Sequence, residues 1–162
     1  MLSKKQQIGK RLFDLTFSLI GVIIFFLPVL FLISLVALLT QKFGLFTQQR
    51  VGQYGNIFKM YKIRTMKSHR DENFITTVND SRITMIGKFL RRSKLDELPQ
   101  LYNVFIGNMS FVGPRPDVVG YADKLKGEDR IILSVKPGIT GPATLKYRNE
   151  ESLLAQHANP KE

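Results

Sequence analysis

Cysteine is absent from this chain, which excludes disulfide bonds, thiolate catalysis and zinc–thiolate sites together. Histidine is nearly absent: His69 and His157 lie far apart in polar sequence, nothing near either has metal-ligand spacing, and both read as solvated surface residues. Acidic residues are scarce, 13 against 24 lysines and arginines, which leaves a net charge of +11. Such a balance implies a polyanionic neighbour: nucleic acid, an anionic membrane surface or phosphate-rich substrates. Repeats and low-complexity tracts are also missing, and 162 residues suit one modest domain with its own core.

What the chain does have is one long uncharged run, Leu15 to Thr40, "LTFSLIGVIIFFLPVLFLISLVALLT". As a single helix it would reach roughly 39 Å, more than a hydrocarbon core of ~30 Å requires. It is too long for the apolar part of a signal peptide, and no small-residue cleavage site follows it. A membrane segment is expected. Its topology is a separate matter, because Lys4, Lys5, Lys10 and Arg11 precede the run while Lys42 and a basic remainder follow it. Positive flanks prefer the cytoplasm, so a simple crossing misplaces one of them. Pro28 stands near the midpoint, where a helix loses a backbone hydrogen bond. Two half-helices could dip in and return; the alternative is a kinked helix that spans, since such prolines are tolerated. The charge distribution favours the re-entrant form. The expected organisation is a membrane segment over 1–41 and a membrane-associated domain over 42–162.

In that second part, "GNIFKMYKIRTM" (55–66) alternates Phe58, Met60 and Ile63 with Lys59, Lys62 and Arg64. That pattern fits a half-buried strand or a helix entry with its basic face outward. Residues 69–82 are polar and turn-rich, the mark of a mobile loop. "SRITMIGKFLRRS" (81–93) spaces Ile83, Ile86, Phe89 and Leu90 as an amphipathic basic helix that could lie on anionic lipid. "GPRP" (113–116) and "KPGITGP" (136–142) read as rigid loops, 117–134 as a helix, and "NEESLLAQHANPKE" as a helix start ending in a polar proline segment. The fold class expected is mostly α with short β elements (α+β).

The densest chemistry is in "RRSKLDELPQL" (91–101), where Asp96 and Glu97 sit among Arg91, Arg92 and Lys94. Pro99 is acceptable in a helix's first turn, so a helix is expected to begin near Asp96, capped by Asp96 or Leu95. On one reading Asp96 caps and Glu97 favours the helix dipole, and nothing more is needed. On the other, cations collect phosphates at a helix N-terminus and keep the carboxylates ionised. The acids then bind a divalent metal or attack phosphorus.

Taken together, "KRLFDL" (10–15), "FTQQRVGQYGNIFKMYKIRTM" (46–66), "LRRSKLDELPQLYNVFIGNMSFVGPRP" (90–116) and "KPGITG" (136–141) resemble the bacterial sugar transferases that are monotopic polyprenol-phosphate phosphoglycosyl transferases. The resemblance runs from about residue 10 to 148, and "LDELPQL…N…G.MSFVGPRP" at this spacing is its specific part. It implies an enzyme of the inner (cytoplasmic) membrane, with a re-entrant helix kinked at Pro28 and a small cytoplasmic domain. The implied reaction moves a sugar-1-phosphate from a nucleotide-diphosphate sugar, usually a UDP-sugar, to polyprenol phosphate through a covalent phosphosugar–aspartate. Carried over by motif, Asp96 is the nucleophile and a Mg²⁺ ligand, and Glu97 is its partner. Arg91, Lys62 and Arg115 are the implied phosphate and substrate cations.

Without the resemblance, Lys62 could simply face solvent or lipid, and Arg115 could stabilise its own loop. Asp14 is expected to pair with Lys10 or Arg11, Lys10 lying one helical turn before it. Two features depart from the family. Leu27 stands where many members carry serine before the proline, and members generally continue beyond Glu162, so a shortened chain is expected. The rival readings are a non-catalytic membrane scaffold on the same fold and a nucleic-acid binder. The second lacks aromatics clustered on a basic face, so no nucleic-acid partner is expected. The sugar, the base and the oligomeric state are left open, a homo-oligomer included.

Overall fold

The structure is a computed structural model that describes residues 3–67 and 80–146. The expected loop at 69–82, up to residue 79, lies outside the described residues, as do His69, His157 and the expected C-terminal helix.

Helix α1 runs Lys4–Thr40 and starts on a capping box: Ser3 Oγ accepts from the Gln6 N–H and Gln6 Oε1 accepts from the Ser3 N–H. Helical backbone continues through Pro28 to a left-handed C-cap at Gln41, φ 53°. Both halves on either side of that proline belong to this one helical element. Loss of a single backbone hydrogen bond leaves the apolar turns on either side intact. The helix is long and apolar enough to cross a membrane, and Ile24, Phe26, Leu27 and Phe31 of its middle are exposed.

Both ends of α1 rest on the remainder of the chain. Near its start Asp14 is buried, taking Lys10 Nζ at 3.5 Å and accepting from the Phe111 N–H at 3.2 Å. Arg11 does not join that pair; its two terminal nitrogens each donate, at 2.8 Å, to the carbonyls of Val104 and Phe105. Near its end Val36 is wholly buried with Ile63 and Leu90. Just beyond, the chain passes so close to α1 that a Cβ on Gly44 would lie 2.0 Å from the Ile33 carbonyl oxygen. Only glycine fits there.

Strands β1 (Leu45–Val51) and β2 (Ile57–Ile63) form an antiparallel hairpin in register Leu45↔Ile63 to Val51↔Ile57. Of the two readings of 55–66, the strand is the one observed. Its alternation turns Phe58 and Met60 into a cluster with Val104 and Met109. Helix α2 (Met85–Ser93) is the amphipathic basic helix the spacing predicts: Leu90 is buried, while Met85, Lys88, Phe89 and Arg92 are exposed. Helix α3 (Gln100–Ile106) packs on β2 and on α1. Strands β3 (Ser110–Val112) and β4 (Gly138–Thr140) pair in parallel and join the two proline-rich loops, and a short α4 (Pro142–Lys146) follows. Residues 117–134 are not an α-helix but two 3₁₀ stretches, Ala122–Lys124 and Gly127–Ser134. Gly120 (φ +104°) and Gly127 (φ +61°) hold left-handed backbone that no continuous helix accepts. The α+β class holds, with small two-stranded sheets.

Candidate active site

After α2 the backbone turns left-handed at Lys94 (φ 59°), whose N–H closes back on the carbonyls of Leu90 and Arg91. A single 3₁₀ turn, Leu95–Glu97, follows, and α3 starts only after Pro99. The helix expected from Asp96 onward is thus displaced by four residues, and Asp96 caps nothing. Leu95 packs against the Val36, Ile63 and Leu90 cluster, and this draws Asp96 inward until it is 6% exposed.

That burial decides the charge state. Desolvation pushes the Asp96 carboxyl up to about 6, against the pull of Lys62, Lys94 and Arg91, with Glu97 adding to the rise. The expectation that surrounding cations would depress it is overturned. Removing water from a carboxylate outweighs cations that are themselves partly solvated. One oxygen, Asp96 Oδ1, is buried with no hydrogen-bond partner among the described residues. Glu97, one residue on, receives Lys62 Nζ at 3.1 Å, both side chains being about a quarter exposed. Lys62 is therefore neither simply solvated nor lipid-facing. Arg91, in the last turn of α2 and half-buried, lies within electrostatic reach of Asp96.

Arg115 is the exception among the expected residues. Its exposed side chain belongs to a loop held at the hairpin tip, where Arg50 donates to the Pro116 carbonyl at 3.1 Å and the Val51 N–H donates to Asp117 at 2.9 Å. Lys62 is five residues away along β2 from that tip, about 17 Å of strand. Arg115 borders a small cleft of about 50 Å³ beside Val51, Gly52, Pro114 and Asp117. The structure brings together Asp96, Glu97, Lys62 and Arg91, and holds the loop of Arg115 at the hairpin tip.

Among the described residues no three His, Cys, Asp or Glu side chains converge as a metal cage. Magnesium does not demand one, being commonly held by one or two carboxylates together with substrate phosphates. The orphaned oxygen of Asp96 and the neighbouring Glu97 fit that donor set.

Sequence reasoning missed Asn103. It is wholly buried on α3, accepts from the Tyr61 N–H through Oδ1 at 3.1 Å and donates to the Lys59 carbonyl through Nδ2 at 2.7 Å. It thereby closes the edge of β2 that β1 leaves open, one residue from Lys62. The available signal was a single amide inside the apolar run Leu98, Leu101, Tyr102, Phe105. Asn103→Leu should lose about 2–3 kcal/mol by leaving both strand groups unpaired, read as a lower unfolding midpoint.

Comparison with known proteins follows the same residues. The model of the family described as bacterial sugar transferase matches residues 5–159. A Bacillus subtilis protein named putative undecaprenyl-phosphate N-acetylgalactosaminyl 1-phosphate transferase is 43% identical over 122 residues, covering 74% of this chain and 68% of that one. The Escherichia coli UDP-glucose:undecaprenyl-phosphate glucose-1-phosphate transferase is 38% identical over 160 residues, 94% of this chain and 34% of its own. The Streptococcus agalactiae galactosyl transferase CpsE is 39% identical over 158 residues, 88% of this chain and 34% of its own. The chain thus spans about a third of the longer relatives.

Proposed function

The chain belongs to the bacterial sugar transferase family, and on that premise we propose that it moves a sugar-1-phosphate from a UDP-sugar to undecaprenyl phosphate through a covalent bond to Asp96. One observation carries the assignment of the nucleophile: a buried carboxylate with an unpartnered oxygen, set beside the Glu97–Lys62 pair and Arg91. In the first step the ionised Asp96 oxygen attacks the sugar-bearing phosphorus, the P–O bond to UMP breaks, and an acyl phosphate forms. In the second, an oxygen of the polyprenol phosphate attacks the same phosphorus and Asp96 departs as carboxylate. Splitting the transfer lets two bulky anions occupy one pocket in turn.

Each neighbour has work to do in this scheme. Lys62 and Arg91 neutralise charge on the transferring phosphoryl oxygens, the main demand of such a transition state. Glu97 holds the Lys62 ammonium in place. Asp96 and Glu97 would hold magnesium, which when bound supplies further charge neutralisation on the diphosphate. Arg115, at the hairpin tip, is offered to a part of the donor remote from the bond that breaks. Arg115→Ala should accordingly raise the KM for the UDP-sugar several-fold while kcat falls less, as steady-state kinetics would show.

The membrane reading has its own support. Arg11 and Asp14 near the start of α1, and Ile33 and Val36 near its end, touch the same small domain. A helix that spanned the bilayer would carry those ends to opposite faces. Both ends on the cytoplasmic face, as the basic flanks favour, place Asp96 beside the interface where the acceptor phosphate lies.

The test uses protein in detergent or lipid particles with Mg²⁺, undecaprenyl phosphate and a panel of UDP-sugars, reading UMP release. Release that needs Asp96 establishes the reaction and its sugar. Its absence with every sugar, from this chain and from one extended at its C-terminus, makes the chain a non-catalytic membrane scaffold.

A further inference from the structure

The proposed reaction makes no use of the charge gathered at the start of α1. Lys10, Arg11 and Lys136 meet there with a single carboxylate, Asp14. Lys10 is occupied by Asp14 and by the Ser110 hydroxyl, and Arg11 by the carbonyls of Val104 and Phe105. Lys136 precedes β4 in "KPGITG", a segment the proposed reaction leaves unused. Among the described residues its ammonium makes no hydrogen bond or ion pair, although the side chain is half-buried. Burial first, then Arg11 and also Lys10, lower its pKa, and only Asp14 opposes them.

The two cations come together over Gly107. A Cβ added to Gly107 would meet Arg11 Nη2 at 3.2 Å and Lys136 Nζ at 3.4 Å. Gly107 is the left-handed C-cap of α3 (φ +91°), so no side chain stands between the two cations. Capping of α3 accounts for Arg11, which bonds the last carbonyls, but not for Lys136, which bonds none.

We propose that Arg11 and Lys136 bind the phosphate of an anionic phospholipid headgroup, seated over Gly107. Arg11 lies four residues before the apolar run, and one face of α1 sets Lys4 and Arg11 in line with Ile8, Leu12 and Leu15. That is the order of a charged headgroup followed by an acyl chain. The acceptor's own phosphate is not the occupant. The seven residues of α3, about 10 Å of helix, separate Gly107 from the turn that holds Asp96. This site goes beyond the proposed reaction and does not depend on it.

The experiment is thermal unfolding of the full chain in neutral detergent, as wild type, Lys136→Gln and Lys136→Arg. Each is titrated with dioctanoyl phosphatidylglycerol, dioctanoyl phosphatidylcholine and inorganic phosphate. The anionic lipid should raise the midpoint of the wild type and of Lys136→Arg by several degrees, with Lys136→Gln needing at least about five times more lipid. The choline lipid, whose own cation offsets its phosphate, and inorganic phosphate should do much less. Without lipid, Lys136→Gln should unfold no earlier than the wild type, because an uncompensated half-buried cation has been removed. An unchanged response of Lys136→Gln, an equal response to the choline lipid, or a full response to inorganic phosphate would each overturn the proposal. So would a glutamine variant clearly less stable without lipid, which would make Lys136 structural. Turnover is not measured, so failure here leaves the reaction at Asp96 standing.

Discussion

Asp96→Asn should abolish UMP release and at the same time make the protein harder to unfold. The loss follows from the proposed covalent step: an amide cannot form the acyl phosphate, and removing a nucleophile is expected to lower turnover by a factor on the order of 10³ or more. The gain follows from burial. In the unfolded chain the Asp96 carboxyl loses its proton near 3.8, whereas in the native protein it keeps it to about 6. Between those values the native state binds more protons than the unfolded state, so stability falls as pH rises from about 4 to about 6. Above pH 6 the native protein carries the whole penalty of a buried charge with one oxygen unpaired. Asparagine has the same shape and no charge. In magnesium-free buffer its advantage should be greatest at pH 7–8, about 2 kcal/mol or roughly 4–8 °C, and should vanish below pH 4. A midpoint that falls at pH 7.5, or a gain that persists at pH 4, would show that Asp96 is stabilised by its cations after all. Continued UMP release from the variant would remove Asp96 from the chemistry.

Gly87→Ala should be among the most destabilising single-methyl changes in the chain. A Cβ at Gly87 would lie 2.0 Å from the Thr65 carbonyl oxygen and 2.8 Å from Thr84 Oγ1. Neither can retreat cheaply. The Thr65 carbonyl accepts from the Thr84 N–H at 3.0 Å and from Thr84 Oγ1 at 3.1 Å, and Thr84 Oγ1 caps α2 by accepting from Gly87. The methyl must therefore part α2 from the end of β2, losing about 3 kcal/mol or more. Those two elements carry Arg91 and Lys62, so the survivors of such a change should also lose activity beyond their loss of folded protein. Gly9→Ala is the matched control: nothing lies within 4 Å of its Cβ position, it is helical and exposed, and alanine there should stabilise by about 0.5–1 kcal/mol. Chemical denaturation of the two variants side by side decides the matter, and a Gly87→Ala protein as stable as Gly9→Ala would refute this packing.

Several elements were legible because their causes are local. The uncharged run of α1, the period-2 alternation of β2 and the apolar spacing of α2 are properties of consecutive residues. The motifs around Asp96 are local too, and the structure brings Asp96, Glu97, Lys62 and Arg91 near one another. The misreadings share a different origin. The helix expected over 117–134 gave way to backbone that Gly120 and Gly127 take with positive φ, which their type allows but does not announce. Asn103 received no role from the sequence, because the strand edge it satisfies lies 42 and 44 positions away.

Sequence by itself determined the family, the apolar helix, the excess of cations and the identity of the acid pair, since each is written in residue order and composition. Tertiary structure alone decided that Asp96 is buried and its pKa raised instead of lowered. It also decided that Lys62 belongs to Glu97 and that Arg11 and Lys136 meet over Gly107. The physical reason is that desolvation and Coulomb attraction depend on distance in space, and opposing terms of similar size are resolved only once the packing places water outside.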